Sequence, residues 1–116
     1  MVKLQNDNGN ICISASVFTT LVGDAATSCF GVKGMALRSA SDGLVHLLKR
    51  EAMSKGVYVS YNDDSSISIE IHIVVEQGVN IPVVCSSIIS EVRYKIMLAT
   101  GVQVKDVNVF VDSVVL

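Results

Sequence analysis

Ser66-Ile67-Ser68-Ile69-Glu70-Ile71-His72-Ile73-Val74-Val75-Glu76-Gln77-Gly78-Val79-Asn80-Ile81-Pro82 is the stretch that decides the fold. Ile67, Ile69, Ile71, Ile73 and Val75 recur at every second position, while Ser68, Glu70, His72 and Glu76 take the alternate ones and Val74 breaks the pattern. Successive side chains of an extended chain point to opposite faces, so this alternation predicts a strand with one face buried and one face wet. Gly78 and Asn80 then interrupt it. Pro82 follows, its ring holding φ at a value suited to the first turn of a helix. A central strand therefore feeds a long helix through a tight loop.

Downstream, the helix is expected from about Pro82 to Thr100, with Val84, Cys85, Ile88, Val92 and Ile96 inward and Gly101 ending it. Val104, Val107, Val109 and Val111 then supply a strand, and the odd spacing across Lys105-Asp106 predicts a bulge or turn there. Upstream, Asn62-Asp63-Asp64-Ser65 is turn chemistry that joins the central strand to Val57, Val59 and Tyr61 as a hairpin. Leu44, Leu47, Leu48 and Ala52 give a narrow apolar stripe, read as a helix capped by Ser41 or Asp42 and stopped by Gly56, with 34–40 as a connector. Earlier still, Ser14 is placed to cap a first helix through its hydroxyl. In that helix the ridge Val17, Leu21, Ala25, Cys29 lies beside the ridge Phe18, Val22, Ala26, Phe30, and Gly31 ends it. Ile11 and Ile13 form a short first strand, and residues 1–9 read as frayed or turn-like.

The order is β-α-α-β-β-α-β. The polar second face of the central strand leaves room for helices on one side only. The expectation is one α+β domain over residues 1–116: a two-layer sandwich with a mainly antiparallel four-stranded sheet and helices on one face.

A chain of 116 residues can bury a core without disulfides or metal, and with half its residues apolar but only 5% aromatic that core must be aliphatic. The net charge of −2 speaks against general affinity for phosphate backbones or anionic lipid. The charge is uneven: residues 31–56 hold Lys33, Arg38, Lys49, Arg50 and Lys55 against Asp42 and Glu51, a balance of +3, and the remainder balances at −5. Cys12, Cys29 and Cys85 are odd in number and widely spaced, which fits free thiols in a reducing compartment. With no charged leader before an apolar run and no stretch of membrane-spanning length, the chain reads as cytoplasmic.

Motifs for chemistry are sparse. His46 and His72 have no carboxylate or cysteine at ligand spacing, and His72 would need partners from another strand to act as an acid, base or ligand. Cys29 falls on a buried ridge. Cys85 falls in the first turn of the last helix, where the helix N-terminus can lower a thiol pKa, but no base accompanies it; core packing is the better reading for both. No G-x-S-x-G elbow is present, and Ser41-Asp42-Gly43 reads as a helix start. Gly31-Val32-Lys33-Gly34 between two expected helices is similar to the loop of KH nucleic-acid-binding modules, although about seven residues separate it from the next helix and only Lys33 is basic. Lys33, Lys49 and Arg50 are thus the candidate interaction surface, against the plainer reading of a solvated face.

Taken together, Ile11-Cys12-Ile13-Ser14, Ala25-Ala26-Thr27, Gly31-Val32-Lys33-Gly34-Met35, Asp42-Gly43-Leu44, Leu47-Leu48 and Ser54-Lys55-Gly56-Val57 form a recognisable series. With the run Ile-Val-Val-Glu-x-Gly-Val-Asn-Ile-Pro ending at Pro82, and Val-x-x-Val-Asn-Val-x-Val from 104 to 111, the chain resembles the alkaline shock protein family of Gram-positive bacteria, the envelope stress response proteins. The resemblance covers residues 11–113. It implies a small cytoplasmic protein without catalytic residues, cofactor or small-molecule substrate, serving cell-envelope homeostasis as a scaffold through protein contacts. It further implies self-association and, for some members, attachment to the membrane through a separate anchoring protein. What it carries over by residue is structural: Ser14 as cap, Gly31 and Gly34 as turn, Gly78 to Pro82 as helix start. Ala15-Ser16 and Val83 stand where the family often has acidic residues at helix starts, a loss of roughly a few tenths of a kcal/mol per site in dipole complementarity. A small KH-like nucleic-acid-binding domain is the alternative function, and an enzyme using Cys85 or His72 is a remote third.

Overall fold

The computed structural model describes residues 1–38, 45–48 and 54–115. In chain order the elements are β1 (Val2–Asn6), β2 (Gly9–Ile13), α1 (Ala15–Thr27), β3 (Val32–Arg38), β4 (Val45–Leu47), β5 (Val57–Tyr61), β6 (Ile67–Glu76), α2 (Ile81–Thr100) and β7 (Val104–Val115). The alternating strand is β6, and it is central. Along one edge β7 runs parallel to it for its whole length, from Ile67↔Val104 to Glu76↔Val115. Two strands share the other edge end to end. β5 is antiparallel to the first half (Tyr61↔Ile67 to Val57↔Ile71), and β3 is antiparallel to the second (Met35↔Ile73 to Val32↔Val75), with β4 outside β3. Gly56 sits where β3 and β5 meet. A Cβ there would lie 2.9 Å from the Ala36 carbonyl oxygen and 3.3 Å from that of His72, so the strands close up only around glycine.

Ile67, Ile69, Ile71, Ile73 and Val75 are all buried, in one cluster with Phe18, Val22, Ala25 and Ala26 of α1 and Val84, Ile88, Val92 and Ile96 of α2. Helices cover one face of a mixed sheet, and the α+β sandwich is as expected. The α2 boundaries match their signals. The Asn80 side chain accepts a hydrogen bond from the Val83 amide at 3.2 Å, Pro82 lies in the first turn, and Gly101 closes the helix in the left-handed region at φ 72. The predicted bulge is present: the register steps from Ile67↔Val104 to Ser68↔Asp106, leaving Lys105 as the extra residue.

Five local expectations are corrected. Of the second helix, 45–47 is strand β4, and the remainder expected at 41–44 and 49–52 lies outside the described residues. The connector is β3 for most of its length. The reason is long-range. β5 covers β6 only as far as Ile71, and the backbone of Ile73 to Val75 needs hydrogen-bond partners that β3 supplies. Residues 1–9 are not frayed: β1 pairs with β2 from Val2↔Ile13 to Asn6↔Gly9, and Val2 reaches the core. The first helix ends at Thr27 with Ser28 as cap, so Phe30 leaves the ridge and is 90% exposed. Ser14 holds the cap position, but its hydroxyl meets the Ser16 hydroxyl at 3.0 Å and no first-turn amide.

Candidate functional site

The even-numbered positions of β6 point away from the helices, and the registered neighbours of each lie on the same face. Glu70 is flanked by Tyr58 of β5 and Asn108 of β7, and His72 by Phe110 of β7. On this open face His72 Nε2 lies 2.9 Å from Glu70 Oε2, and Nδ1 lies 2.9 Å from Asp112 Oδ2. An ionised carboxylate only accepts, so both contacts are satisfied together when the ring is protonated and each nitrogen donates. Phe110 stacks on it with centroids 4.9 Å apart and planes 12° from parallel, while Tyr58 meets it edge-on at 5.5 Å and 88°.

Asp112 reaches His72 because of a second bulge. The register steps from Ile73↔Val111 to Val74↔Ser113, and the extra residue is Asp112, its side chain turned under the open face. Burial, the largest single influence on the imidazole, pulls its pKa down. The hydrogen bonds to Glu70 and Asp112, together with their charges, outweigh it and leave the pKa above the ordinary value. Sequence reasoning placed His72 on the open face with Glu70 near but missed Asp112. The available signal was a change of phase, from valines at 107, 109 and 111 to valine at 114.

Chemically the cluster is closed. A ring with both N–H groups committed is neither a base nor a metal ligand until it loses a proton. Cys85 is half-buried, and burial pushes its thiol up, against the lowering expected from a helix N-terminus; burial also raises Cys29, whose Sγ donates to the Ala25 carbonyl at 3.4 Å. Among the described residues no group of three or more His, Cys, Asp or Glu side chains could hold a metal ion.

Lys33 is exposed on β3, at the irregular step between Val32 and Gly34; Lys49 and Arg50 lie outside the described residues. The structure overturns the KH-like reading of Gly31 to Gly34. Val32 pairs with Val75 and Gly34 with Val74, so the segment opens a strand and does not lead into a helix.

Two further surfaces are open. Among the described residues no strand pairs with the outer edge of β7, twelve residues long. Beside its first bulge, Arg93 of α2 donates to the carbonyls of Val104 (2.6 Å) and Lys105 (2.9 Å), and exposed Tyr94, Met97 and Leu98 form an apolar ridge next to it.

Comparison with known proteins gives a consistent picture. The profile of the alkaline shock protein 23 family, cell envelope-related function, matches residues 3–116. The uncharacterized protein YloU of Bacillus subtilis is 33% identical over 114 residues, covering 97% of this chain and 94% of the relative. The uncharacterized protein Spy1614 of Streptococcus pyogenes is 37% identical over 114 residues, 97% of this chain and 93% of the relative. No solved structure matches the chain.

Proposed function

The chain belongs to the alkaline shock protein family, whose function is cell envelope-related, and from that premise we propose that it serves the envelope as a non-enzymatic scaffold working through protein–protein contacts, self-association included. The observation that carries this reading is the outer edge of β7. A row of backbone N–H and C=O groups as long as the sheet is unpaired by any described strand, and such an edge is a ready template for another chain. The bulges at Lys105 and Asp112 blunt its two ends and leave Asp106 to Val111 as the regular stretch. Burial raises the Cys29 and Cys85 thiols, and His72 is held between two carboxylates. No described helix is long and apolar enough to cross a membrane, so in this proposal any membrane attachment is made through an anchoring partner.

The test is crosslinking of the tagged protein in cells, followed by identification of what co-purifies from membrane and soluble fractions. Recovery of an integral membrane protein or of further copies of the chain is expected. Recovery of neither, from cells in which the protein is abundant, overturns the scaffold.

A further inference from the structure

The open face of the sheet combines two features. It carries carboxylates in excess: Glu70, Asp112 and, one row further along β7 beside Ser68, Asp106. The positions of β5, β6 and β7 that share this face in register include no lysine or arginine. Lys105 is the extra residue of the bulge at its end, with its charge felt by Asp64 in the hairpin turn. A protonated His72 offsets one of the three negative charges, and at least two remain. The face also keeps two aromatic rings partly in water. Tyr58 is 49% and Phe110 43% exposed. Large aromatics left exposed beside acidic groups are suited to a cation with an apolar stem, because the ring faces attract positive charge and the stems cover the rings.

We propose that this face, centred on Tyr58, Glu70, Phe110 and Asp106, docks a lysine- and arginine-bearing segment of a partner protein. The inference rests on the scaffold reading and names the chemistry of one partner; it uses side chains on the open face, two of them from β7, and not the backbone edge of that strand. Charge complementarity selects the occupant. A guanidinium above Phe110 can donate to the exposed Glu70 carboxylate, and Asp106 takes the next cation along the strand. The His72 network holds the platform flat. Its stack fixes Phe110, and its hydrogen bond turns Glu70 toward the same patch.

The test is titration of the full chain, isotope-labelled, with a synthetic twelve-residue peptide of alternating arginine and alanine, followed by amide NMR shifts and repeated with a glutamate-for-arginine peptide. Shifts confined to residues around 58, 70, 106 and 110, with the arginine peptide alone, are expected. Phe110→Ala should weaken binding about fivefold to tenfold, the size of a cation–π contact, while leaving the charge unchanged. Asp106→Asn, at an exposed position, should also weaken it and provides a check should Phe110→Ala perturb the fold. Shifts spread over the surface, or affinities unchanged in both variants, overturn the proposal. The crosslinking experiment separates the two readings. Partners captured equally well by Phe110→Ala and the unchanged chain would sink this docking face and leave the scaffold standing; no partner captured by either would sink the scaffold itself.

Discussion

The two faces of β6 are made from the same ten residues and are held by different physics. On the helix side five aliphatic side chains are buried against α1 and α2. Their contribution comes from apolar area removed from water, and is insensitive to pH and little affected by salt. On the open side the His72 ring lies between two carboxylates, under one aromatic ring and beside another. Its contribution depends on protonation and is screened near solvent. The difference teaches where to look for each force: apolar packing in the odd positions, electrostatics in the even ones.

The contrast is easiest to break at its strong end. Ile71→Ala removes a fully buried side chain from the middle of the helix-side row and should cost about 2–5 kcal/mol in urea unfolding. A loss under about 1 kcal/mol would mean that the row is not the core. Gly56→Ala comes next, at about 1–3 kcal/mol. Its new Cβ would press on backbone atoms of both β3 and β6, which cannot swing aside as a side chain would. Asn80→Ala should cost about 1 kcal/mol by removing the cap of the helix that delivers Val84 and Ile88 to the core. Ser14→Ala should cost a few tenths at most, because its hydroxyl caps nothing. Equal losses at the two caps would show that position alone, without the hydrogen bond, sets the cost.

What the sequence discloses follows the same division. Period-two burial in β6, the Asn80-to-Pro82 helix start, the Gly101 stop, the β5–β6 hairpin and the Lys105 bulge are all local patterns, each written within a few residues. β3 and β4 are not local. Leu44, Leu47 and Leu48 have a spacing that suits a helix, and Val32 to Arg38 becomes a strand because half of one edge of β6, some forty residues away, needs pairing. The Asp112–His72 contact is hidden for the same reason. It spans forty positions and depends on a one-residue change of register that only the phase of the valines betrays. Phe30 shows the converse: extending the ridge past Thr27 assumed that the helix continued, and three residues of turn were enough to put the ring in water.

The effect that most sharpens the comparison is the pH dependence of the open face. The His72 pKa is raised in the folded chain because the two carboxylates outweigh burial. The native state therefore binds this proton more tightly than the unfolded chain. The resulting stabilisation is complete below the ordinary value of 6.5 and is lost as pH rises through the raised one. His72→Gln removes it, so the gap between the unchanged chain and the variant in urea unfolding should be widest in mildly acidic buffer. It should shrink toward alkaline pH, and it should amount to about 1 kcal/mol or less for a pair this near solvent. Ile71→Ala, measured across the same range, should show a loss that does not move with pH. A His72→Gln gap that stayed constant would place the ring among the packing contacts, and the two faces of β6 would then differ in polarity but not in the kind of force that holds them.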